Sequence, residues 1–589
     1  MPNLIPYSAV EQHALIGDRR TAALVASDGT LDWLCLPDYD GTVVFGALLD
    51  ARRGGFWRVG PSGLWRGEQV YDDSSPVVRT RWTTDAYAVE LTDAMAMPAD
   101  VRASGRDGAR IVLRRLECLR GSAPCVSTFR PGVDFSVPEA GPESTLGRAG
   151  TYQLWSDRED FRSGCRSAVV HAQEIVWMVF EVGSRSEWSA PEAERLLDDV
   201  HRFWRDVMRR LDFGSLREPL QRSAITIRLL EYVPAGSVVA APTTSVPERI
   251  GGDWNVDYRL TWLRDASLAM GTLASFGDRE SAGRYLGWLS GRSSKTAAPL
   301  QVLYDIHGGN QPTEIERKDV EGYRGSKPIR FGNHAFRQHQ LDSFGYLADC
   351  ALTYFEAGGR WAPDFWRLLC RAADYVARHW SDAGNGIWEL SSRQRYVSGR
   401  VMCWVTLDRV LRIANRMAVV PDGATAWTRE REAIRHEVET LGWSDRLCAF
   451  KQSLEHDVLD ASALLMVIVG FLPAQDPRVQ STIDAVAERL TIDGCVYRFD
   501  PEQVIDRDGS MGQYESAFLP CTFWLATACA LTGRTRDARD ILDRVRAVAG
   551  PLGLFAEAID PRSRAFAGNT PLLFSHVEYI RAVRALNRA

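Results

Sequence analysis

Eight carboxylates in this chain recur near aromatic rings: Asp253, Asp257, Asp265, Asp319, Glu321, Glu389, Glu515 and Glu557, with Trp254, Tyr258, Trp262, Tyr323, Trp388 and Tyr514 close by in sequence. Acids among aromatic faces suit the cleavage of a glycosidic bond. One acid protonates the leaving oxygen, a second carboxylate activates water, and the rings hold a sugar. Any single carboxylate more often caps a helix or pairs with a base at the surface. Two contexts stand out against that background. Glu321 sits in DVEGYRGSKP, where Gly322 and Gly325 let the backbone come close to a ligand. Glu515 begins the apolar run ESAFLPCTFWLATACAL, which predicts a helix with the carboxylate at its positive end, a setting that keeps a base ionised.

Other chemistries find little support. HExxH, GxSxG and GxGxxG strings are absent. The ten His are dispersed singly, and His576 in FSHVEY reads best as a hydrogen-bonded core residue at a helix start. The eleven Cys are scattered without a CxxC pair, so the expectation is reduced thiols, no metal site and no cofactor. Lys plus Arg number 70 against 76 Asp plus Glu, a net charge of −6 that offers no field for nucleic acid. The longest apolar run, Ala461 to Leu472, is too short to span a bilayer, and the first residues lack the pattern of a signal peptide. The expected setting is therefore cytoplasmic, with no membrane partner, and homo-oligomerisation is left open. Nineteen Trp exceed what a core of this size needs; some are expected to line a sugar site, although packing is the commoner fate of any one.

The elements that must position these groups change character along the chain. At 589 residues the sequence needs more than one domain. Residues 1–190 alternate short runs rich in Val, Ile, Trp and Tyr with turn signals, which predicts an antiparallel β-sandwich. Residues 191–250 predict a helical linker ending in the loop-like PAGSVVAAPTTSVPE. From 251 to 589 the text is helical. A Gly beside aromatic or acidic residues recurs before long apolar segments, at Gly252, Gly332, Gly386, Gly442, Gly494 and Gly553, spaced 80, 54, 56, 52 and 59 apart. A unit of about fifty residues holds two helices and two loops. Six units predict an (α/α)6 toroid with all six glycine loops on one rim, the longest interval carrying an insertion over Gly291 to Val320.

Several strings together resemble glycoside hydrolase family 15, the bacterial glucoamylase and trehalase-like enzymes. LIGDRRTAALVASDGTLDWLCLPDYD (Leu15 to Asp40) is similar to the start of that family's N-terminal β-sandwich. DWNVDYRLTWLRDAS, EGYRGSKPIRFGN, GIWE, VMCWVTLDR, YESAF and FSH follow in the order of its catalytic domain. The resemblance implies the (α/α)6 barrel and hydrolysis in one displacement with inversion. It makes Glu321 the general acid and Glu515 the general base. Arg264 and Asp265 become the pair that grips sugar hydroxyls, with Trp262, Tyr258, Tyr323, Arg324, Trp388 and Glu389 completing the expected substrate-binding set. The string around Glu515 departs from the family's GEGAF-like version, with Tyr514 and Ser516 as flanks, and Val256 and Leu260 replace aromatics. The leading expectation is an exo-acting α-glucosidase releasing β-glucose from small oligosaccharides. The alternatives are a trehalase using the same site on a disaccharide, a sugar phosphorylase, and an inactive glycan-binding protein.

Overall fold

The structure is a computed structural model and describes residues 7–589, apart from 64, 73, 137–142, 163, 185, 294–298, 501, 507–508 and 511–514. Tyr514 and part of the expected insertion thus lie outside the described residues.

The N-terminal part is two antiparallel sheets of seven strands each. The first runs β1 (His13–Gly17), β2 (Ala22–Ala26), β3 (Thr30–Leu36), β5 (Phe56–Pro61), β10 (Ser122–Arg130) and β13 (Cys165–His171), with β4 (Thr42–Phe45) paired to β3. The second runs β11 (Glu143–Thr145), β12 (Thr151–Ser156), β14 (Ile175–Val182), β9 (Arg110–Arg120), β8 (Ala88–Met95), β7 (Val78–Thr83) and β6 (Arg66–Tyr71). β2 and β3 are buried along their whole length, so they read as continuous apolar runs, whereas β7 alternates buried with partly exposed positions. Arg114 ties the sheets together. Fully buried, it pairs with Asp93 at 2.7 Å and donates to the carbonyls of Trp57 and Gly29. A short helix, α1 (Pro98–Ala103), and the long α2 (Ala190–Arg209) flank the second sheet.

Twelve helices form the rest among the described residues. The inner ring is α4 (Leu263–Ser275), α6 (Ser343–Glu356), α8 (Val397–Arg416), α10 (Leu465–Ile468, extended by a 3-10 turn at Ala461–Leu464), α12 (Leu519–Leu531) and α14 (Leu573–Arg588). Each packs on the next, and α14 closes on α4. The outer ring is α3 (Arg217–Leu229), α5 (Arg279–Ser290), α7 (Pro363–His379), α9 (Ala424–Leu441), α11 (Pro477–Arg489) and α13 (Thr535–Ala549). Layer follows composition. α12 buries twelve of its thirteen residues and has no polar face, while α13 buries only Ala538, Ile541, Leu542, Val545 and Ala549, one stripe of an amphipathic helix.

One feature differs from the reading of the sequence. The 191–250 stretch is more than a linker, because α3 packs against α14 as the toroid's outer partner and completes the twelve. Packing is also the commoner fate of the Trp, as expected: Trp33, Trp57, Trp82, Trp204, Trp427 and Trp524 are among the largest fully buried side chains. The glycine rim is as expected. Gly252, Gly332, Gly386, Gly442, Gly494 and Gly553 all lie where an outer helix passes to the next inner helix, which puts them at one end of the toroid.

Sandwich and toroid are fastened at several buried points. Trp33 Nε1 donates to the Pro242 carbonyl at 2.8 Å, the Tyr39 hydroxyl donates to the Leu229 carbonyl, and Arg19 pairs with Glu231 at 2.6 Å. Arg228 continues this cluster to Asp278 and Ser281, while Arg284 reaches Glu231. No helix is long and apolar enough to cross a membrane, among the described residues.

Candidate active site

The short strand Thr261–Trp262 pairs with Leu303–Tyr304 and delivers the chain into α4, so Trp262, Arg264 and Asp265 are fixed at the rim end of the inner ring. Arg264 is buried. Its guanidinium donates to Asp265 Oδ2 at 3.1 Å and to the Ile387 carbonyl at 3.1 Å, and lies 3.4 Å from Glu389 Oε1. Trp262 Nε1 donates to the same Glu389 oxygen at 2.8 Å. Glu389 itself is held in the left-handed region at φ 60°, three residues after Gly386, where any Cβ would meet the Tyr396 ring at 2.7 Å. Burial raises the Glu389 pKa against the opposing pull of Arg264, and its side chain keeps 23% exposure, enough to meet a ligand. Trp388 donates to Asp460 Oδ2 at 2.8 Å and packs on Phe518 and Trp524.

These groups line a cavity of about 160 Å3. At roughly 30 Å3 of liquid per water that is the space of about five waters, the scale of a single sugar ring. Trp254, Tyr258, Phe518 and Phe574 supply apolar wall, and Arg264, Asp265, Glu389, Glu248 and Arg498 supply charge.

On the far side of Tyr258 lies a second acid group. The Tyr258 ring stands edge-on to Trp262, centroids 5.3 Å apart, and its hydroxyl donates to Glu557 Oε1. The Asn569 amide donates to Glu557 Oε2 at 3.0 Å, and Gly568, at φ 75°, leaves no room for a Cβ, which would stand 2.5 Å from that oxygen. Arg498 is the hub. It donates to both oxygens of Glu248 at 2.9 and 3.0 Å and to Glu515 Oε1 at 2.6 Å, and lies 3.9 Å from Glu557 Oε1. One guanidinium thus serves three buried carboxylates. Burial and repulsion from Glu248 outweigh Arg498 and push Glu515 up to about 7 and Glu557 up to about 8. Glu248 and Glu515 also line a larger neighbouring cavity of about 740 Å3, walled in part by Ala9, Val10 and Glu11 of the N-terminal segment.

The residues expected from the sequence divide accordingly. Arg264, Asp265, Trp262, Tyr258, Trp388 and Glu389 come together around the small cavity. Tyr323 and Arg324 border the larger one, and Glu321, the expected acid, lines neither. Its amide donates to Asp50 Oδ2 at 3.3 Å and its carboxylate meets the Tyr7 hydroxyl, so it belongs to the seam with the sandwich. Gly322 serves a tight turn there: a Cβ would meet the Ser326 carbonyl oxygen at 1.7 Å. Glu515 does sit in the cluster but not at a helix end. α12 begins only at Leu519, after the strand Ala517–Phe518, and Arg498 rather than a helix dipole faces the carboxylate. Its pKa is raised, as is that of Glu557. His576 is a core residue, accepting the Phe555 amide at Nε2 and donating to Ser223 Oγ, with burial lowering its pKa to about 3. Sequence reasoning missed Arg498 and Glu248. Arg498 stood in one of the six glycine loops, DGCVYRFD, as its only base; Glu248 carried no signal at the end of a Pro-rich run. Among the described residues no group of His, Cys, Asp and Glu is placed to hold a metal ion.

Comparison with known proteins agrees with this architecture. A trehalase of Mycolicibacterium smegmatis is 32% identical over 99% of this chain and 92% of its own length, and a trehalase of Mycobacterium tuberculosis is 31% identical over 99% and 90%. A bacterial glucoamylase complexed with acarbose superposes with a TM-score of 0.65 at 13% identity, over 98% of this chain and 94% of that one, which fixes the shared fold of sandwich plus toroid. The trehalase-like N-terminal family matches residues 6–142, and glycosyl hydrolases family 15 matches residues 214–584. With its toroid matched almost end to end, this chain belongs to glycosyl hydrolases family 15.

Proposed function

We propose that this glycoside hydrolase is a trehalase that cleaves its disaccharide with inversion, using Glu389 as the proton donor and Glu557 as the base. The observation that carries the substrate is likeness to trehalases along almost the whole chain, where the exo-glucosidase reading rested on the catalytic strings alone. A cavity the size of one ring beside a larger one fits a substrate of two rings.

The site's chemistry supports the division of roles. Glu389 takes both of its donors, Trp262 and Arg264, on Oε1, which leaves Oε2 to carry a proton, and burial favours the protonated form. Glu557 is held up by burial and by the Glu248 charge, and the Tyr258 hydroxyl and the Asn569 amide work against that rise by donating to its ionised form. The two carboxylates stand at opposite ends of the Tyr258–Trp262 pair, as a water between sugar and base demands. In the reaction Glu389 gives its proton to the glycosidic oxygen as the C1–O bond breaks. Water bonds to C1 from the other face and yields a proton to Glu557. Arg264 and Asp265 hold the hydroxyls of the reacting ring. A phosphorylase would need a free cation for phosphate, yet Arg264 and Arg498 are both already paired with carboxylates.

Glucose release from trehalose, maltose, isomaltose and soluble starch tests the substrate, with trehalose expected to be fastest. Proton NMR of the first turnovers tests the stereochemistry. The attacked glucose should appear as β and the departing glucose, whose anomeric carbon is untouched, as α, in equal amounts. Two α-glucose per turnover would exclude inversion, and faster hydrolysis of starch would exclude the disaccharide. Glu389→Gln and Glu557→Gln should each lower kcat by about 10²–10⁴-fold.

A further inference from the structure

Glu389 adopts a left-handed backbone conformation that is costly for a non-glycine residue and persists only where its surroundings enforce it. On its C-terminal side the backbone is held by one neighbouring segment. Gln338 Nε2 donates to the Glu389 carbonyl at 2.9 Å. Behind it, the buried Gln340 donates through Nε2 to Gln338 Oε1 at 2.7 Å and so fixes which way the Gln338 amide faces. Asn385 fastens the other side. Its Nδ2 donates to the Leu390 carbonyl at 2.8 Å, its Oδ1 accepts the His339 amide at 3.0 Å, and its own amide donates to the His339 carbonyl at 2.9 Å. The two carbonyls after the Glu389 Cα, its own and that of Leu390, are therefore both held by side-chain amides tied to residues 338–340.

We propose that Gln338, oriented by Gln340, is a positioning residue for the proton donor: it acts through the Glu389 backbone rather than on the sugar. The proposal rests on the reading of Glu389 as the acid. The carbonyl that Gln338 holds belongs to the peptide whose rotation sets ψ of Glu389. Losing that bond lets the backbone relax toward ordinary values and swings Oε2 away from the glycosidic oxygen. A displacement of about 1 Å can cost about 10²-fold in rate. Arg264 and Trp262 would still grip Oε1, so the carboxyl stays in the cavity but points its proton badly.

The test separates proton donation from binding by changing the leaving group. Trehalose needs its departing oxygen protonated; α-glucosyl fluoride does not, because fluoride departs unaided. Gln338→Met, which keeps length and removes both hydrogen bonds, should lower kcat on trehalose by about 10- to 10²-fold with KM little changed, and lose far less on the fluoride. Gln340→Met should give the same pattern more weakly, since it frees the Gln338 amide to turn but leaves Gln338 Nε2 able to donate to the Glu389 carbonyl. Equal losses on both substrates, or a rise in KM without loss of kcat, would make Gln338 a sugar-binding residue and overturn the proposal. Unfolding temperatures matching wild type show that the variants are folded; if Gln338→Met is not, Gln340→Met carries the test. Glu389→Gln is the control. If it too loses equally on both substrates, it is the assignment of Glu389 as acid that fails.

Discussion

Replacing Glu515 by glutamine removes one of three carboxylates that share Arg498, and its consequence for stability can be worked out from the structure. The Glu515 side chain is 1% exposed, with Oε1 on Arg498 and Oε2 buried without a hydrogen-bonding partner. Its pKa rises from 4.5 to about 7, first from burial, with repulsion from Glu248 adding to it. A carboxyl whose pKa is raised on folding binds its proton more tightly in the folded chain. Stability is therefore complete below about pH 4.5, falls as pH climbs toward 7, and stays reduced above. The interval of 2.5 pH units, at ~1.4 kcal/mol each, sets an upper bound of about 3–4 kcal/mol. Glutamine cannot titrate, and its Oε1 still accepts from Arg498, so the variant escapes this loss. Calorimetric unfolding at pH 4.5 and pH 8 checks it. The Tm of Glu515→Gln minus that of wild type should be near zero at the lower pH and about 3 °C at the higher, given ~2 cal/mol/K of unfolding entropy per residue over the whole chain. Activity adds a second reading, because a guanidinium relieved of one carboxylate better serves the others; the acidic limb of kcat/KM should move to lower pH. A Tm difference that does not change with pH, or a wild type more stable at pH 8, would mean that Glu515 is fully ionised under Arg498, and the reasoning would fail.

The remaining predictions concern neighbouring residues. Arg264→Lys should lower kcat/KM by about 10²-fold or more, since a point charge cannot replace the planar fork that reaches Asp265, Glu389 and the Ile387 carbonyl together; near-wild-type kinetics would remove Arg264 from the site. Arg498→Met should destabilise the fold by about 3–5 kcal/mol at neutral pH, because Glu248, Glu515 and Glu557 are left buried without their cation. Acid should narrow that deficit by protonating them, which thermal unfolding at pH 4.5 and 7.5 can check. Glu321→Gln should retain kcat within about three-fold, as expected of a partly exposed seam residue; a loss like that of Glu389→Gln would return Glu321 to the machinery.

How much of this was legible in the sequence varies with the range of the forces involved. The alternating runs before residue 190 and the glycine rhythm after 251 record local preferences, so the sandwich, the toroid and the common rim of six glycine loops could be read directly. Arg264, Asp265 and Trp262 were equally legible, because three residues in one turn at a helix start travel together whatever the tertiary fold. The choice of acids was not. Glu321, Glu389, Glu515 and Glu557 all stand beside aromatics or glycines, and a string cannot say which groups the fold will bring against each of them. Only the tertiary structure decides that, by turning Glu321 toward Asp50 and Tyr7 of the sandwich and by bringing Tyr258 across 299 residues to Glu557. Arg498 and Glu248, 250 residues apart, likewise became a pair only in the closed toroid. Their protonation follows from the same cause. Burial and mutual repulsion around one shared guanidinium are properties of a place, and that place exists only when α4, α12 and α14 close the ring.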